Sequence, residues 1–247
     1  MIKYLVFDVD NTLLDFRMSL YRAEKAVADQ LELPITVDYY MKDSELINSA
    51  WLEYKLQETS DPEVREDWHL NYRLCIVRYF EQLAEYLGME LDSNMLTRLF
   101  LRSIAEMHHT MEKETLDVYN SLSGQYRNVL ATNTVIEVRD RLSPFEPCTY
   151  RIFLSDELHA VKPDRKFFDG ILRELDCEPS ECLMIGDSAV DDMKGAKDAG
   201  FHTCWYARGK RNADCGDADY RIESITELPA LLEKLNGQSE QPDCLCT

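Results

Sequence analysis

The run Tyr4-Leu5-Val6-Phe7 is apolar without interruption and stops at Asp8-Val9-Asp10. A run of this length and character reads as a short strand buried on both faces, the kind found inside a parallel sheet covered by helices. On a strand, residues i and i+2 point to the same side. Asp8 and Asp10 therefore leave the strand's carboxyl end together, where open α/β sheets place their ligands. Carboxylates that close repel each other unless one is protonated or a cation sits beside them. One strand end thus offers a nucleophile, an acid/base partner and half of a metal site. Taken alone, the pair also fits an acidic turn. It does not fit a helix–loop–helix calcium site, which needs Gly at the sixth position and Glu at the twelfth. Leu13 and Ser19 stand there.

After this strand the apolar spacing becomes helical from Phe16 to about His108. Leu20, Ala23, Val27 and Leu31 follow the i, i+3/i+4 rule, and Trp68, Tyr72, Cys75, Ile76, Tyr79, Phe80, Leu83 and Leu87 mark a longer helix stopped by Gly88. Leu96, Leu99, Phe100, Ile104, Met107 and Met111 mark another. The aromatic-rich stripe reads as a helical core. From about residue 115 the pattern alternates, with strands expected over 128–131, 151–154, 182–185 and 203–206 and helices over 167–175 and 192–199. Strands alternating with helices predict an α/β fold: a doubly wound, mostly parallel, Rossmann-like sheet with an inserted all-helical domain. The expected division is an α/β core of 1–15 and 109–236, a helical insert of 16–108, and a polar tail of 237–247 expected to be disordered.

The chain carries a formal net charge of -19. That balance argues against a nucleic-acid polymer, which is bound through Lys/Arg clusters, and against an anionic membrane surface. An anionic substrate would need a cation and a few placed basic groups to bind here. No stretch has the length of a membrane span, and the N-terminus lacks the pattern of a secretory signal. Eight scattered cysteines with no CxxC pair read as reduced thiols of a cytoplasmic protein. Cys244 and Cys246 fall in the polar tail.

In a parallel sheet all carboxyl ends face one crevice. The residues after the expected strands are Asp8/Asp10, Thr132/Asn133, Ser155/Asp156 and Asp187. Thr132 offers a hydroxyl, and its turn offers backbone N–H groups, as an oxyanion needs. Taken alone, Thr132-Asn133 also fits a turn or helix cap. Lys162, ordinarily a surface residue type, precedes Pro163 close to the same crevice and would shield a phosphate from the acids around it. Gly186 is expected to permit an unusual backbone turn at its strand end. Asp187 then projects into the crevice, and Asp191 or Asp192 returns from the first helical turn. Hard oxygen ligands without His or Cys suit Mg2+.

These four segments, Asp8-Val9-Asp10-Asn11-Thr12, the apolar run into Thr132, Lys162-Pro163 and Gly186-Asp187 through Asp192, resemble the four motifs of the haloacid dehalogenase-like (HAD) hydrolase superfamily. Each motif is weak alone; four in this order and spacing are specific. The helical insert between the first and second motifs resembles the C1 type of cap. Gly195-Ala196 and Ala199-Gly200 fit the family's frame best with Asp192 as the outer metal-site acid.

The resemblance implies a Mg2+-dependent hydrolase of a small-molecule phosphomonoester. Asp8 would be the nucleophile and Asp10 the acid/base. The metal would be held by Asp8, the Asp10 backbone carbonyl, Asp187 and Asp192, and the phosphoryl oxygens by Thr132, Asn133 and Lys162. True dehalogenases lack an acid at Asp10, which favours phosphoryl chemistry. Asp15-Phe16 and His202-Thr203-Cys204-Trp205-Tyr206 resemble the pyrimidine-nucleotidase branch, although that branch usually has Gly where Thr134 stands. Arg17, Tyr21, Trp51 and Tyr54 are candidates for cap contacts with substrate. A sugar-phosphate phosphatase or a β-phosphoglucomutase-like enzyme would use the same motifs. A phospho-accepting receiver domain would lack the insert, and a catalytically silent phosphate-binding protein would have no need of every motif residue.

Overall fold

A computed structural model describes residues 1–33, 37–57, 61–208, 216 and 218–238. The chain runs through β1 (Tyr4–Phe7), α1 (Phe16–Gln30), α2 (Val37–Glu53), α3 (Pro62–Glu66), α4 (Trp68–Leu87), α5 (Ser93–Glu106) and α6 (Thr115–Leu122). It continues through β2 (Arg127–Thr132), β3 (Arg151–Leu154), α7 (Ser155–Leu158), α8 (Arg165–Leu175), β4 (Cys182–Gly186), α9 (Gly195–Ala199), β5 (His202–Tyr206), β6 (Tyr220–Ile222) and α10 (Leu228–Gln238).

The six strands form one parallel sheet in the order β3-β2-β1-β4-β5-β6. This is the doubly wound order, in which the chain reverses direction across the sheet between β1 and β4. Alternation along each strand splits the core into two layers. Leu5, Phe7, Leu130 and Ile185 pack on one face with Tyr119 of α6 and Leu232 of α10. Tyr4, Val6, Val129 and Met184 pack on the other with Phe167, Phe168 and Ile171 of α8 and Ala196 of α9. The continuous apolar character of β1 thus reflects helices on both sides.

Helices α1 to α5 share their own apolar cluster, built on Ala23, Val27, Ala50, Ile76, Phe80, Phe100 and Ile104. Val135, Val138 and Val161 join that cluster from the segments after β2 and β3. The ends of these helices follow local chemistry. Asp15 caps α1 by accepting from the Met18 N–H at 3.1 Å, and Asp92 caps α5 by accepting from Met95 at 3.0 Å. Gly88 ends α4 in the left-handed region at φ 63°.

Some expectations are corrected. α5 stops at Glu106, with Met107 as an extended cap, so Met111 is not on it. β6 had no counterpart in the sequence pattern. α10 reaches Gln238 and so enters the segment expected to be disordered; the rest of that segment, with Cys244 and Cys246, lies outside the described residues. The five described cysteines are free thiols. No helix among the described residues is long and apolar enough to cross a membrane.

One acid pair, a half-buried Glu24 and a buried Asp43, lies inside the helical block. Burial, and then the charge of Asp43, push the Glu24 carboxyl up to about 9; Asp43 also accepts from the Tyr79 hydroxyl. The folded chain keeps a proton on Glu24 that the unfolded chain releases near its ordinary value of 4.5. The stability from that proton is complete below the unfolded value and is lost as pH rises toward the folded one. The melting temperature is therefore expected to fall across this window, and Glu24→Gln, which stays neutral, to flatten the fall. Thermal melts across the same pH range check this.

Candidate active site

A cavity of about 430 Å³ opens at the carboxyl ends of β1, β2 and β4. Asp8, Asp10, Thr132, Asn133, Lys162, Asp187 and Asp192, expected from the sequence to carry the chemistry, all line it. The register explains why. Phe7 stands opposite Leu130 on one side and Ile185 on the other, and the Asp8 N–H donates to the Ile185 carbonyl at 2.9 Å.

Lys162 is the electrostatic centre. Only 2% exposed, its ammonium donates to Asp8 Oδ1 at 2.7 Å and to Asp192 Oδ1 at 2.6 Å. Burial alone would push this lysine down, but the Asp192 and Asp8 charges outweigh it and hold it above its ordinary value. Burial drives the Asp8 carboxyl well up, the Lys162 charge opposes that, and the neighbouring acids Asp192, Asp10 and Asp187 reinforce it. The Asn133 carboxamide donates to the Lys162 carbonyl at 2.9 Å and accepts from its N–H at 2.7 Å. The Asn133 side chain thus places Lys162.

Oxygens of Asp8, Asp187 and Asp192 lie within 4.8 Å of one another, a spacing at which one small cation can touch all three. Asp192 is held by Lys162 and by the Ser188 N–H, which donates to its Oδ2 at 3.0 Å. Asp191 also lines the cavity but is outside that trio; burial, then the Asp192 charge, push its carboxyl up to about 6. Gly186 corrects an expectation. It does not provide a turn: it is the last residue of β4, and a Cβ there would fall inside the Asp192 carboxyl group. The missing side chain makes room for Asp192 to approach the sheet.

The Thr132 hydroxyl is fully buried in this lining and has no hydrogen-bond partner among the described residues. Buried polar atoms in that state are uncommon in folded proteins and commonly mark a place where something binds. Ser155 and Asp156, expected at the crevice, are not among its lining residues. Ser155 accepts from the Thr134 N–H at 2.9 Å and pairs with His69 at 2.7 Å, while Asp156 pairs with Arg73 at 2.6 Å. Both tie the helical block to the sheet.

Arg141 was not anticipated. Its guanidinium is fully buried and grips both oxygens of Asp10, one of them at 2.9 Å from Nη2. Nη2 also donates to the Thr134 hydroxyl at 3.1 Å, and the group lies 5.2 Å from the Phe16 ring centre. Thr134, noted as a departure from the nucleotidase pattern, thus has a definite job in holding Arg141. An arginine in the short 3-10 helical segment Ile136–Leu142, far from Asp10 in the chain, carries no sequence pattern that reveals the pair.

The far wall comes from the helical block: Phe16, Trp51, Leu56, Trp68 and Tyr72, with Gln57 beside them. Of the four cap residues expected to meet substrate, Trp51 lines the cavity. Arg17, Tyr21 and Tyr54 are not among its lining residues, and Tyr54 faces a separate surface hollow with Lys55 and Asn71.

A family model described as HAD-hydrolase-like matches residues 159–228. The pyrimidine 5'-nucleotidase PynA of Streptococcus pneumoniae is 28% identical over 244 residues, covering 94% of this chain and 95% of that one. The HAD-hydrolase YfnB of Bacillus subtilis is also 28% identical, covering 95% of this chain and 97% of its own length. A magnesium-bound crystal structure of YfnB superposes with a TM-score of 0.77 at 25% identity, over 94% of this chain and 98% of that chain.

Proposed function

We propose that this chain is an HAD-like, Mg2+-dependent phosphomonoesterase working through an aspartyl-phosphate on Asp8, with nucleoside 5'-monophosphates as its substrates. The observation that carries this reading is the unpartnered Thr132 hydroxyl, buried in the same cavity as the Lys162 ammonium and the Asp8 carboxylate. A hydroxyl donor and a fixed cation beside a buried carboxylate suit a phosphoryl group under attack.

The carboxylate oxygen of Asp8 attacks phosphorus, the P–O bond to the leaving group breaks, and Asp10 gives the leaving oxygen a proton. Asp10 then takes a proton from the water that attacks the acyl phosphate, releasing inorganic phosphate and regenerating Asp8. Thr132 and Lys162 hold the phosphoryl oxygens throughout. Arg141 fixes the orientation of the Asp10 carboxyl group. Five acids and one lysine line the cavity, so an anionic substrate needs further positive charge there. Asp8, Asp187 and Asp192, all hard oxygen donors, fit Mg2+ and would hold it. When bound, it offsets the repulsion between carboxylate and phosphate and polarises the phosphoryl oxygen.

Residues 16–108 act as a cap that closes the cavity and supplies contacts to the rest of the substrate. The aromatic wall supports a nucleotide, as does the similarity to a pyrimidine 5'-nucleotidase. The free thiols suit a reducing, cytoplasmic setting. The test is phosphate release from a panel of nucleoside monophosphates and sugar phosphates. Nucleotides are expected to turn over fastest, with activity lost in EDTA and restored by Mg2+. Turnover unchanged by EDTA would remove the metal from the reading, and inertness toward the whole panel would remove the phosphatase.

A further inference from the structure

We propose that Trp68 sets the enzyme's preference by donating its indole N–H to a carbonyl oxygen of a planar heterocyclic base bound at the cap end of the cavity. The inference rests on the phosphomonoesterase reading and specifies what the cap recognises. Trp68 opens α4, is only 5% exposed, and lines the same cavity as Asp8. Its ring is fixed on two sides. It stacks on Tyr72 with centroids 5.2 Å apart and planes at 15°, and it meets His69 edge-on at 5.2 Å and 79°. Tyr72 is in turn met edge-on by Trp51 at 6.2 Å and 89°.

The indole nitrogen is a donor only. It is buried and has no acceptor among the described residues, a costly state that a ligand bringing an acceptor would relieve. The residues lining the cavity therefore include two with orphaned polar groups among the described residues: the Thr132 hydroxyl from the sheet and the Trp68 N–H from the cap. The first lies among the residues suited to a phosphate. The second lies among aromatic and aliphatic side chains, where polar partners are few: this N–H, the Tyr72 hydroxyl and the Gln57 carboxamide. A bare sugar would bring several hydroxyls to a wall that could satisfy few of them, at a cost for each one left over. A flat base with one or two carbonyls suits both the apolar surface and the single fixed donor.

The test is Trp68→Phe, which keeps an aromatic ring on Tyr72 and removes the donor. With uridine 5'-monophosphate, kcat/KM is expected to fall about tenfold, carried mainly by KM. With ribose 5-phosphate, which has no base, and with adenosine 5'-monophosphate, whose base has no carbonyl, the change is expected to stay under about twofold. An equal loss on all three would show that Trp68 only packs the cap, and no loss on uridine 5'-monophosphate would show that its N–H binds nothing; either overturns the inference. Calorimetric binding of uridine 5'-monophosphate to the parent and to Trp68→Phe decides the point independently of turnover. About tenfold weaker binding by the variant supports the inference and equal binding refutes it, even if the parent hydrolyses no phosphomonoester and the catalytic reading fails by itself.

Discussion

Asp8→Asn is expected to lower phosphate release by at least about 10⁴-fold and to leave the protein at least as stable as the parent. The two halves of this expectation come from the same surroundings. Asn has the shape of Asp and keeps a carbonyl oxygen that can accept from the Lys162 ammonium, at 2.7 Å in the parent. Its amide cannot form the acyl phosphate, so the covalent route closes. Burial already works against the charged form of Asp8, and the Asp192, Asp10 and Asp187 charges add to that. Replacing the acid with a neutral group of equal volume removes a repulsive charge from a crowded site. Phosphate release under saturating Mg2+ tests the first half and a thermal melt the second. A variant that turns over like the parent would mean that Asp8 is not the nucleophile. A collapsed fold would mean that its charge is structural.

How much of this was legible in the chain differs residue by residue. β1, β4 and β5 are apolar for most of their length because helices cover both faces, and β2 keeps a continuous apolar run over Val129, Leu130 and Ala131. β6 is three residues long with an exposed arginine in the middle, too short for any periodicity to emerge. The acids at strand ends were legible because one strand end carries i, i+2 information within a few residues. The Asp10–Arg141 pair was not, since its partners lie 131 positions apart. Trp68 and Tyr72 were legible as a buried helix face. Periodicity records only that a face is covered, so it could not say that this one is covered partly by other helices and partly by a cavity. Gly186 matters for its missing side chain, through the space that this leaves and not through a turn. The need is space for a carboxylate arriving from the turn after β4, which only tertiary placement reveals.

Lys162→Met is expected to damage both activity and fold, and the two losses are separable. Methionine keeps the length and apolar stem of lysine and removes the ammonium. In the parent that ammonium is the shared partner of Asp8 and Asp192, which are 6% and 1% exposed. Removing one member of a buried ion cluster leaves the others uncompensated, at a cost of about 3–5 kcal/mol. For a chain of this size that corresponds to a drop in melting temperature on the order of 10 °C. Turnover should fall by about 10³-fold, the scale for losing one fixed positive group aimed at the phosphoryl oxygens. Added Mg2+ separates the two. The trio of Asp8, Asp187 and Asp192 loses its internal counter-charge in the variant, so a divalent cation should raise the variant's melting temperature more than the parent's. It should not restore the rate, because a cation held by the three acids cannot donate the hydrogen bond that the Lys162 ammonium would give to the phosphoryl oxygens. Melting curves with and without Mg2+, beside phosphate release, test both arms. If Mg2+ recovered the rate along with the stability, Lys162 would be a structural counter-ion and not part of the phosphoryl site. If it stabilised parent and variant equally, those three acids would not be the metal site.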